Sequence, residues 1–213
     1  YFDGSNDNIN IGEPSEIDNL EEGTISFWFK PNETIDSSDG FVTLIGGDKS
    51  GTFSGDTQFV FWSSKGALTF NIQSASADFI VDTTQTSWSE DIWVHVTGIR
   101  NSSGGMELYI NGILEDSRGN SGGNLFGSSA DIKIGSRTPN DNWFNGSIDS
   151  IIIYNTTLTA TQVQELYNSS SHIYERFPAG EYVSQTFNAT TLNAGANIST
   201  WKVADLIDYD PLN

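Results

Sequence analysis

Trp143 stands in a polar stretch beside Arg137, Asn140 and Asn142 rather than in a strand-like pattern. An indole flanked by a guanidinium and carboxamides can hold a sugar ring, stacking on its apolar face while the polar groups bond its hydroxyls. Trp62, followed by Ser63 and Ser64, is a second candidate of the same kind. Trp28 alternates away from Ile25, Phe27 and Phe29 and so points to the opposite face of its strand, where packing is the expected role. Trp88 and Trp93 flank the start of a strand and are expected to be structural, and His95 within that strand is expected to be packed rather than to serve as ligand or base. Other chemistry is thinly represented. The sequence has no phosphate-cradling Gly-rich loop, no His pair at metal spacing and no Gly-x-Ser-x-Gly elbow, and a serine nucleophile would have only His95 or His172 as its base.

The elements that must position these residues are short strands. Apolar residues alternate at Ile9 and Ile11, at Ile25, Phe27 and Phe29, at Phe59 and Phe61, and at Leu68, Phe70 and Ile72. Turn clusters such as Ser37-Ser38-Asp39-Gly40, Gly46-Gly47-Asp48, Ser103-Gly104-Gly105 and Asn111-Gly112 separate them, at spacings suited to a sandwich of antiparallel strands. Trp93 to Ile99 and Met106 to Asn111 look like a hairpin pair. Ile151-Ile152-Ile153-Tyr154 is apolar on both faces and predicts a central strand covered on each side. One stretch predicts a helix: Thr159 with Gln162 makes a capping box, Val163, Leu166 and Tyr167 form a short apolar face, and the helix is expected to end by Asn168-Ser169.

Composition narrows the partners. The chain has 213 residues, enough for one large all-β domain with a short appendage, and its 21 Gly, 13 Phe, 6 Trp and 7 Tyr suit strands joined by many turns. There is no Cys, which removes disulfides and thiolates alike. A formal charge of -19, from Lys+Arg 9 against Asp+Glu 28, repels phosphate backbones and anionic lipid, so neither nucleic acid nor a membrane surface is the expected partner. No apolar run approaches the roughly 20 residues needed to span a bilayer. Such acidity also fits a calcium-rich or saline exterior, and simple solubility explains it equally well. The first residue is Tyr1 rather than Met, as expected of a mature product or an excised fragment. Seven Asn-x-Ser/Thr sites, at Asn32, Asn101, Asn145, Asn155, Asn168, Asn188 and Asn197, are compatible with glycosylation of an exported protein.

Five landmarks occur in order: Tyr1-Phe2-Asp3-Gly4-Ser5-Asn6-Asp7, Ile25-Ser26-Phe27-Trp28-Phe29-Lys30-Pro31, Trp93-Val94-His95-Val96, Leu108-Tyr109-Ile110-Asn111-Gly112, and Phe144 to Asn155 followed by Leu158-Thr159. Together they resemble the laminin G-like jelly rolls of the concanavalin A-like lectin and glucanase superfamily over about the first 170 positions. Ser150 departs from that pattern where an acidic residue is usual, and Ile153-Tyr154 where an Arg is often found. The resemblance implies an all-β, two-sheet antiparallel β-sandwich with one short C-terminal helix, its first and last strands adjacent. It also implies a structural calcium ion near the joined strand ends, held by Asp3 and Asp149 with Asp7 or Asn6 next and backbone carbonyls completing the shell. The alternative is that Asp3 and Asp7 cap turns. Asn140-Asp141-Asn142 could likewise ligate calcium or be merely solvated.

Glu16-Ile17-Asp18-Asn19-Leu20-Glu21 matches the Glu-x-Asp-x-x-Glu pattern of retaining β-glucanases that share this fold, in which carboxylates on one strand face act as nucleophile, helper and acid/base. Here the pattern precedes the Ile25 to Phe29 strand and looks like a connecting loop, so the protein is expected not to be an enzyme. The expectation is an extracellular or cell-surface recognition module for a glycan or glycoprotein, occupying residues 1–172. A structural or adhesive subunit of a surface or filament assembly is the alternative, and a glucanase-like glycoside hydrolase the third reading. Residues 173–213 are expected to be a connector, the start of a following domain, or a strand (Tyr182 to Phe187) donated to a neighbouring copy.

Overall fold

A computed structural model describes residues 1–12, 14–17, 19–48, 58–74, 77–119, 125, 131–137 and 142–175. The elements are β1 (Phe2–Asp3), β2 (Ile9–Gly12), β3 (Gly23–Pro31), β4 (Val42–Asp48), β5 (Gln58–Ser64), β6 (Ala67–Ser74), β7 (Ala77–Asp82), β8 (Val94–Arg100), β9 (Met106–Ile110), β10 (Ile113–Arg118), β11 (Asp131–Ile134), β12 (Asn145–Tyr154) and one helix, α1 (Ala160–Glu175). Every strand pair is antiparallel. Two six-stranded sheets result, with orders β1-β12-β3-β8-β9-β10 and β2-β11-β4-β5-β6-β7. This is the expected two-sheet sandwich, and the first and last strands are neighbours: Phe2 pairs with Gly146 and Asp3 with Asn145.

The alternating apolar residues meet between the sheets. Ile25, Phe27 and Phe29 of β3 and Val94 and Val96 of β8 face Phe59 and Phe61 of β5 and Leu68, Phe70 and Ile72 of β6. Phe61 stacks on Phe70 at 4.6 Å between ring centroids. The opposing β8 passes this stack at Gly98, where a Cβ would strike both rings.

The outer face of the first sheet is not left to solvent. Trp28, opposite His95 in register, is 3% exposed even though it points away from the main core. Helix α1 covers it: the Tyr167 ring stacks on Trp28 at 5.8 Å, and the Trp28 indole N–H donates to Ser170 Oγ at 3.1 Å. Ile99, Tyr109, Leu158 and the fully buried Val163 form a second, smaller apolar cluster there, and burying a side chain such as Val163 contributes about 1.5–3 kcal/mol. The capping box forms as expected, with Thr159 N–H donating to Gln162 Oε1 at 2.8 Å and Gln162 N–H to Thr159 Oγ1 at 3.3 Å.

Two expectations need correction. The helix does not stop at Asn168-Ser169 but continues to Glu175, because the Ser169, Ser170 and Ser171 hydroxyls donate back to the carbonyls of Leu166, Tyr167 and Asn168 and so sit inside the helix without breaking it. The domain limit expected at residue 172 therefore falls within α1. The run Ile151 to Tyr154 is covered on both faces, Ile151 and Ile153 by the main core and Tyr154 by the helix-side cluster, but it is central in only one sense. β1 pairs with β12 only at Gly146 and Asn145, so beyond them β12 has β3 on one side alone. Among the described residues no helix is long and apolar enough to cross a membrane.

Candidate functional site

Helix α1 covers the outer face of the first sheet around Trp28 and Tyr109, and the outer face of the second carries the expected Trp62. Alternation sends the side chains opposite to the core residues outward, and the register aligns them in rows. One row runs Thr43, Trp62, Thr69, Asp82 across β4 to β7. The next runs Lys133, Gly46, Val60, Asn71, Ile80 across β11, β4, β5, β6 and β7. Phe41, immediately before β4 and 49% exposed, stacks on Trp62 with centroids 4.6 Å apart and planes at 14°. This pair is an aromatic platform at the β4–β5 end of the sheet.

Beside the platform lie polar atoms with no partner in the folded chain. Thr43 is fully buried and Asn71 is 3% exposed, yet Thr43 Oγ1 and Asn71 Oδ1 accept and donate nothing, and Gln73 Oε1, two residues further along β6, is also unpartnered. A buried group left unsatisfied costs about 1–3 kcal/mol, so folded proteins keep few of them without a ligand or ordered water to meet them. Thr69, between them, is satisfied through a 2.5 Å bond to Asp82 Oδ1.

Of the expected ligand residues, Trp62, Arg137 and Asn142 are placed on or beside β4 and β5. Trp62 is in the platform. The carbonyl of Asn142, a residue held at φ 55°, accepts the backbone N–H of Thr43 at 2.8 Å, which ties the loop carrying Asn142 and the half-buried Trp143 to the edge of β4. Arg137 lies beside Gly46, its Cβ 3.8 Å from where a Cβ on Gly46 would stand. Asn140 and Asp141 lie outside the described residues. Sequence reasoning missed Thr43, Asn71, Gln73 and Phe41. Asn71 and Gln73 had a signal, since inward Leu68, Phe70 and Ile72 force them outward; Thr43 and Phe41, a lone aromatic after Gly40, had none.

The carboxylates expected to share a calcium ion are not brought together. Asp149 is opposite Trp28, four residues along β12 from Asn145, the partner of Asp3, which separates the two positions by about 13 Å. Asp3 Oδ1 accepts from Ser5 N–H, Ser5 Oγ and Asn6 N–H at 2.8, 2.8 and 3.3 Å, and Asp7 Oδ2 accepts from Asp3 N–H at 3.1 Å. The Ser5 donors hold the Asp3 carboxyl below the usual range. This is turn-capping chemistry, and Asp149 Oδ1 is engaged with Ser150 N–H at 2.6 Å. Asp149 thus does not share a site with Asp3, whereas Asp3, Asn6 and Asp7 are gathered in one turn, and among the described residues no three or more His, Cys, Asp or Glu side chains are grouped as a metal site.

The Glu-x-Asp-x-x-Glu segment has no strand face to line. Ser15–Ile17 is a single 3₁₀ turn, Asn19 is left-handed at φ 57°, and the Glu21 carbonyl accepts from the Arg100 guanidinium; Asp18 lies outside the described residues. Among the sequons, Asn32 and Asn155 are exposed outside strands and Asn168 is exposed on α1, whereas the Asn101 carboxamide closes its own turn and Asn145 donates to Glu33. Asn188 and Asn197 lie outside the described residues.

The laminin G-like family model, described as the concanavalin A-like lectin/glucanases superfamily, matches residues 3–164. The adhesion G-protein coupled receptor V1 of Danio rerio is 27% identical over 160 residues, 70% of this chain but 2% of that receptor, so the chain corresponds to a small part of it. The CBM40 domain of a Ruminococcus gnavus IT-sialidase, described as bound to α2,3-sialyllactose, superposes with a TM-score of 0.65 at 13% identity, covering 78% of this chain and 95% of that one. A heptameric SAP-like pentraxin from Limulus polyphemus superposes with a TM-score of 0.58 at 16% identity, covering 78% and 79%. At such identities the likeness is one of fold.

Proposed function

We propose that this chain, which belongs to the concanavalin A-like lectin/glucanases superfamily over residues 3–164, is a non-catalytic, extracellular recognition module that binds carbohydrate or glycoprotein on the outer face of its second sheet. The observation that carries this reading is the stacked aromatic pair of exposed Phe41 on half-buried Trp62 at the end of β4 and β5. Rings of this kind give a sugar its apolar contact. The CBM40 domain, a carbohydrate-binding module by its description, supports the reading by fold alone. The non-catalytic part rests on the turn geometry at Ser15–Ile17, which denies the Glu16 to Glu21 carboxylates a common strand face. The extracellular part rests on the adhesion-receptor relative.

The test is binding of the full chain to an immobilised panel of glycans and glycoproteins, repeated with Phe41→Ala/Trp62→Ala. The reading requires at least one ligand whose binding falls by roughly tenfold or more in the variant while its Tm stays within a few degrees. Binding that is indifferent to the double substitution places recognition elsewhere on the molecule.

A further inference from the structure

The sequons divide unevenly between the two sheets. Among the described residues all belong to the first sheet or its helix: Asn32 follows β3, Asn101 follows β8, Asn145 opens β12, Asn155 follows β12 and Asn168 is on α1. No Asn-x-Ser/Thr triplet begins before Asn32, between Asn32 and Asn101, or between Asn101 and Asn145, and those stretches hold β2, β4 to β7 and β11. Every strand of the second sheet is therefore without one. We infer that the chain carries N-linked oligosaccharides at Asn32, Asn155 and Asn168 and not at Asn101 or Asn145, so that its sugar coat lies on the first-sheet side and leaves the outer face of the second sheet bare. The inference rests on the extracellular reading above, since this modification is made on exported chains.

In the transfer, Asn Nδ2 forms a bond to the anomeric carbon of an oligosaccharide carried on a polyprenyl diphosphate. The bond from that carbon to the diphosphate oxygen breaks, the polyprenyl diphosphate leaves, and one amide proton is released to water. The carboxamide oxygen is untouched, so what decides between the sites is the room around Nδ2.

Asn32 and Asn155 are exposed in bends just beyond strand ends, and Glu33 and Thr34 of the first triplet are exposed as well. Asn168 is exposed on α1, and its Oδ1 accepts from Gln164 Nε2 at 3.2 Å, a bond that a sugar on Nδ2 leaves in place. Asn145 is the reverse. It is half-buried, its Nδ2 donates to Glu33 Oε1 at 3.1 Å, and a Cβ on Gly4 would lie 2.9 Å from its own Cβ, so the side chain is wedged at the β1–β12 junction. At Asn101, Oδ1 accepts from Ser103 N–H, Ser103 Oγ and Gly105 N–H at 3.1, 2.8 and 2.8 Å, while Nδ2 is 2.6 Å from where a Cβ on Gly105 would stand. The nitrogen is walled in by the turn that the oxygen closes. A sugar on Asn101 opens the β8–β9 hairpin, and one on Asn145 displaces β1.

Ser170 sets the timing at Asn168. It is the third residue of that triplet, and its hydroxyl accepts the Trp28 indole N–H at 3.1 Å and donates to the Leu166 carbonyl at 2.8 Å. A transferase that reads the triplet's hydroxyl finds it hidden once α1 has docked, so Asn168 is modified before docking. Asn155 has a separate consequence. Beyond Asn145 and Gly146, β12 is paired on the β3 side alone, and a branched polar group one residue past Tyr154 stands at the end of that open edge, where it obstructs pairing with a strand of another chain.

The experiment secretes the full chain from a eukaryotic host behind a cleavable leader and strips it with a peptide-N-glycosidase in heavy-oxygen water. Each formerly occupied Asn becomes a labelled Asp, and peptide mass spectrometry then gives occupancy site by site. The expected result is occupancy above roughly half at Asn32, Asn155 and Asn168 and below roughly a tenth at Asn101 and Asn145. Asn32→Gln, Asn155→Gln and Asn168→Gln should each remove one glycan step in mass from the intact chain. Occupancy at Asn101 or Asn145 equal to that at Asn32 in folded, secreted chain overturns the selection by geometry. A secreted chain with no glycan at any of the three expected sites overturns the inference altogether. Neither result touches the recognition reading, which the glycan panel and Phe41→Ala/Trp62→Ala test on unglycosylated chain.

Discussion

His95 Nε2 and Ser26 Oγ are 2.8 Å apart across β8 and β3, and both residues are 1% exposed. The imidazole packs against both rings of the Trp28–Tyr167 stack, at 5.0 and 5.8 Å, with Nδ1 unpartnered. A serine next to an imidazole has the look of a nucleophile and its base, but here α1 seals the pair from any substrate and no third group orients the ring. The arrangement is structural: Ser26 Oγ also accepts from Thr97 Oγ1 at 3.4 Å, and the His95 backbone N–H donates to Asn111 Oδ1 at 2.9 Å, tying β3, β8 and the turn after β9 together.

Burial lowers the His95 pKa from its ordinary 6.5 to about 4, which has a measurable consequence. Between those values the unfolded chain binds a proton that the folded chain refuses, so stability is full above pH 6.5 and is lost as pH falls toward 4. The loss amounts to about 3 kcal/mol at most. Chemical denaturation of wild type and His95→Gln from pH 7 to 4 is expected to show the difference in stability shrinking across that window. A pH-independent difference would mean that the ring is accessible to protons in the folded state.

Replacing Asn71 by Leu removes an unmet acceptor from a buried position. The expected outcome is unchanged or increased stability, by up to about 1–3 kcal/mol, and Thr43→Val is expected to behave likewise. Denaturant midpoints with constant m-values check this. Destabilisation by both variants would show that these groups are satisfied by ordered water in the free protein.

Gly98→Ala is expected to lower stability by about 1–3 kcal/mol, because the methyl enters the space of the Phe61 and Phe70 rings. A loss of near-ultraviolet aromatic signal should accompany the fall in Tm. Shrinking Phe61 to Leu in the same chain is expected to recover part of the loss, and failure to recover it would place the strain in the β8 backbone instead.

For calcium, the register makes a sharp distinction. A rise in Tm with added Ca²⁺, reversed by chelator, is expected to survive Asp149→Ala, because Asp149 is about 13 Å along β12 from the Asp3 junction. Loss of the response in Asp149→Ala, with retention in Asp3→Ala, would require a metal site that uses neither turn at the amino end.

What the sequence disclosed follows from what is local. The capping box at Thr159 and Gln162, the inward alternation of Leu68, Phe70 and Ile72, and the outward turn of Trp28 depend on near neighbours and were legible. The run of serines after Asn168 was misleading because hydroxyls can serve a helix interior as readily as a cap. Register was invisible. Nothing in the sequence shows that β12 slips between Asp149 and Ile152, with Ser150 at φ 50°, or that Asp3 pairs with Asn145 rather than with a residue nearer Asp149. Of the candidate site, Trp62, Arg137 and Asn142 were singled out by residue type, while the place of Thr43 opposite Trp62 and beneath the Asn142 carbonyl came only with the pairing of β4 and β5.

The placement of β12 also governs how the molecule comes into being. It is the last strand among the described residues, yet it fills the gap between β1 and β3, the former near residue 1. A nascent polypeptide on the ribosome therefore carries β3 with one bare edge, and Phe27 and Phe29 beside it, until residues 145–154 have emerged. Pairings so distant in sequence form slowly, and an uncovered strand edge is open to other chains in the meantime. Emergence of residues 145–154, rather than synthesis of the β4–β7 meander, is the event that gives β3 its second neighbour and closes the first sheet.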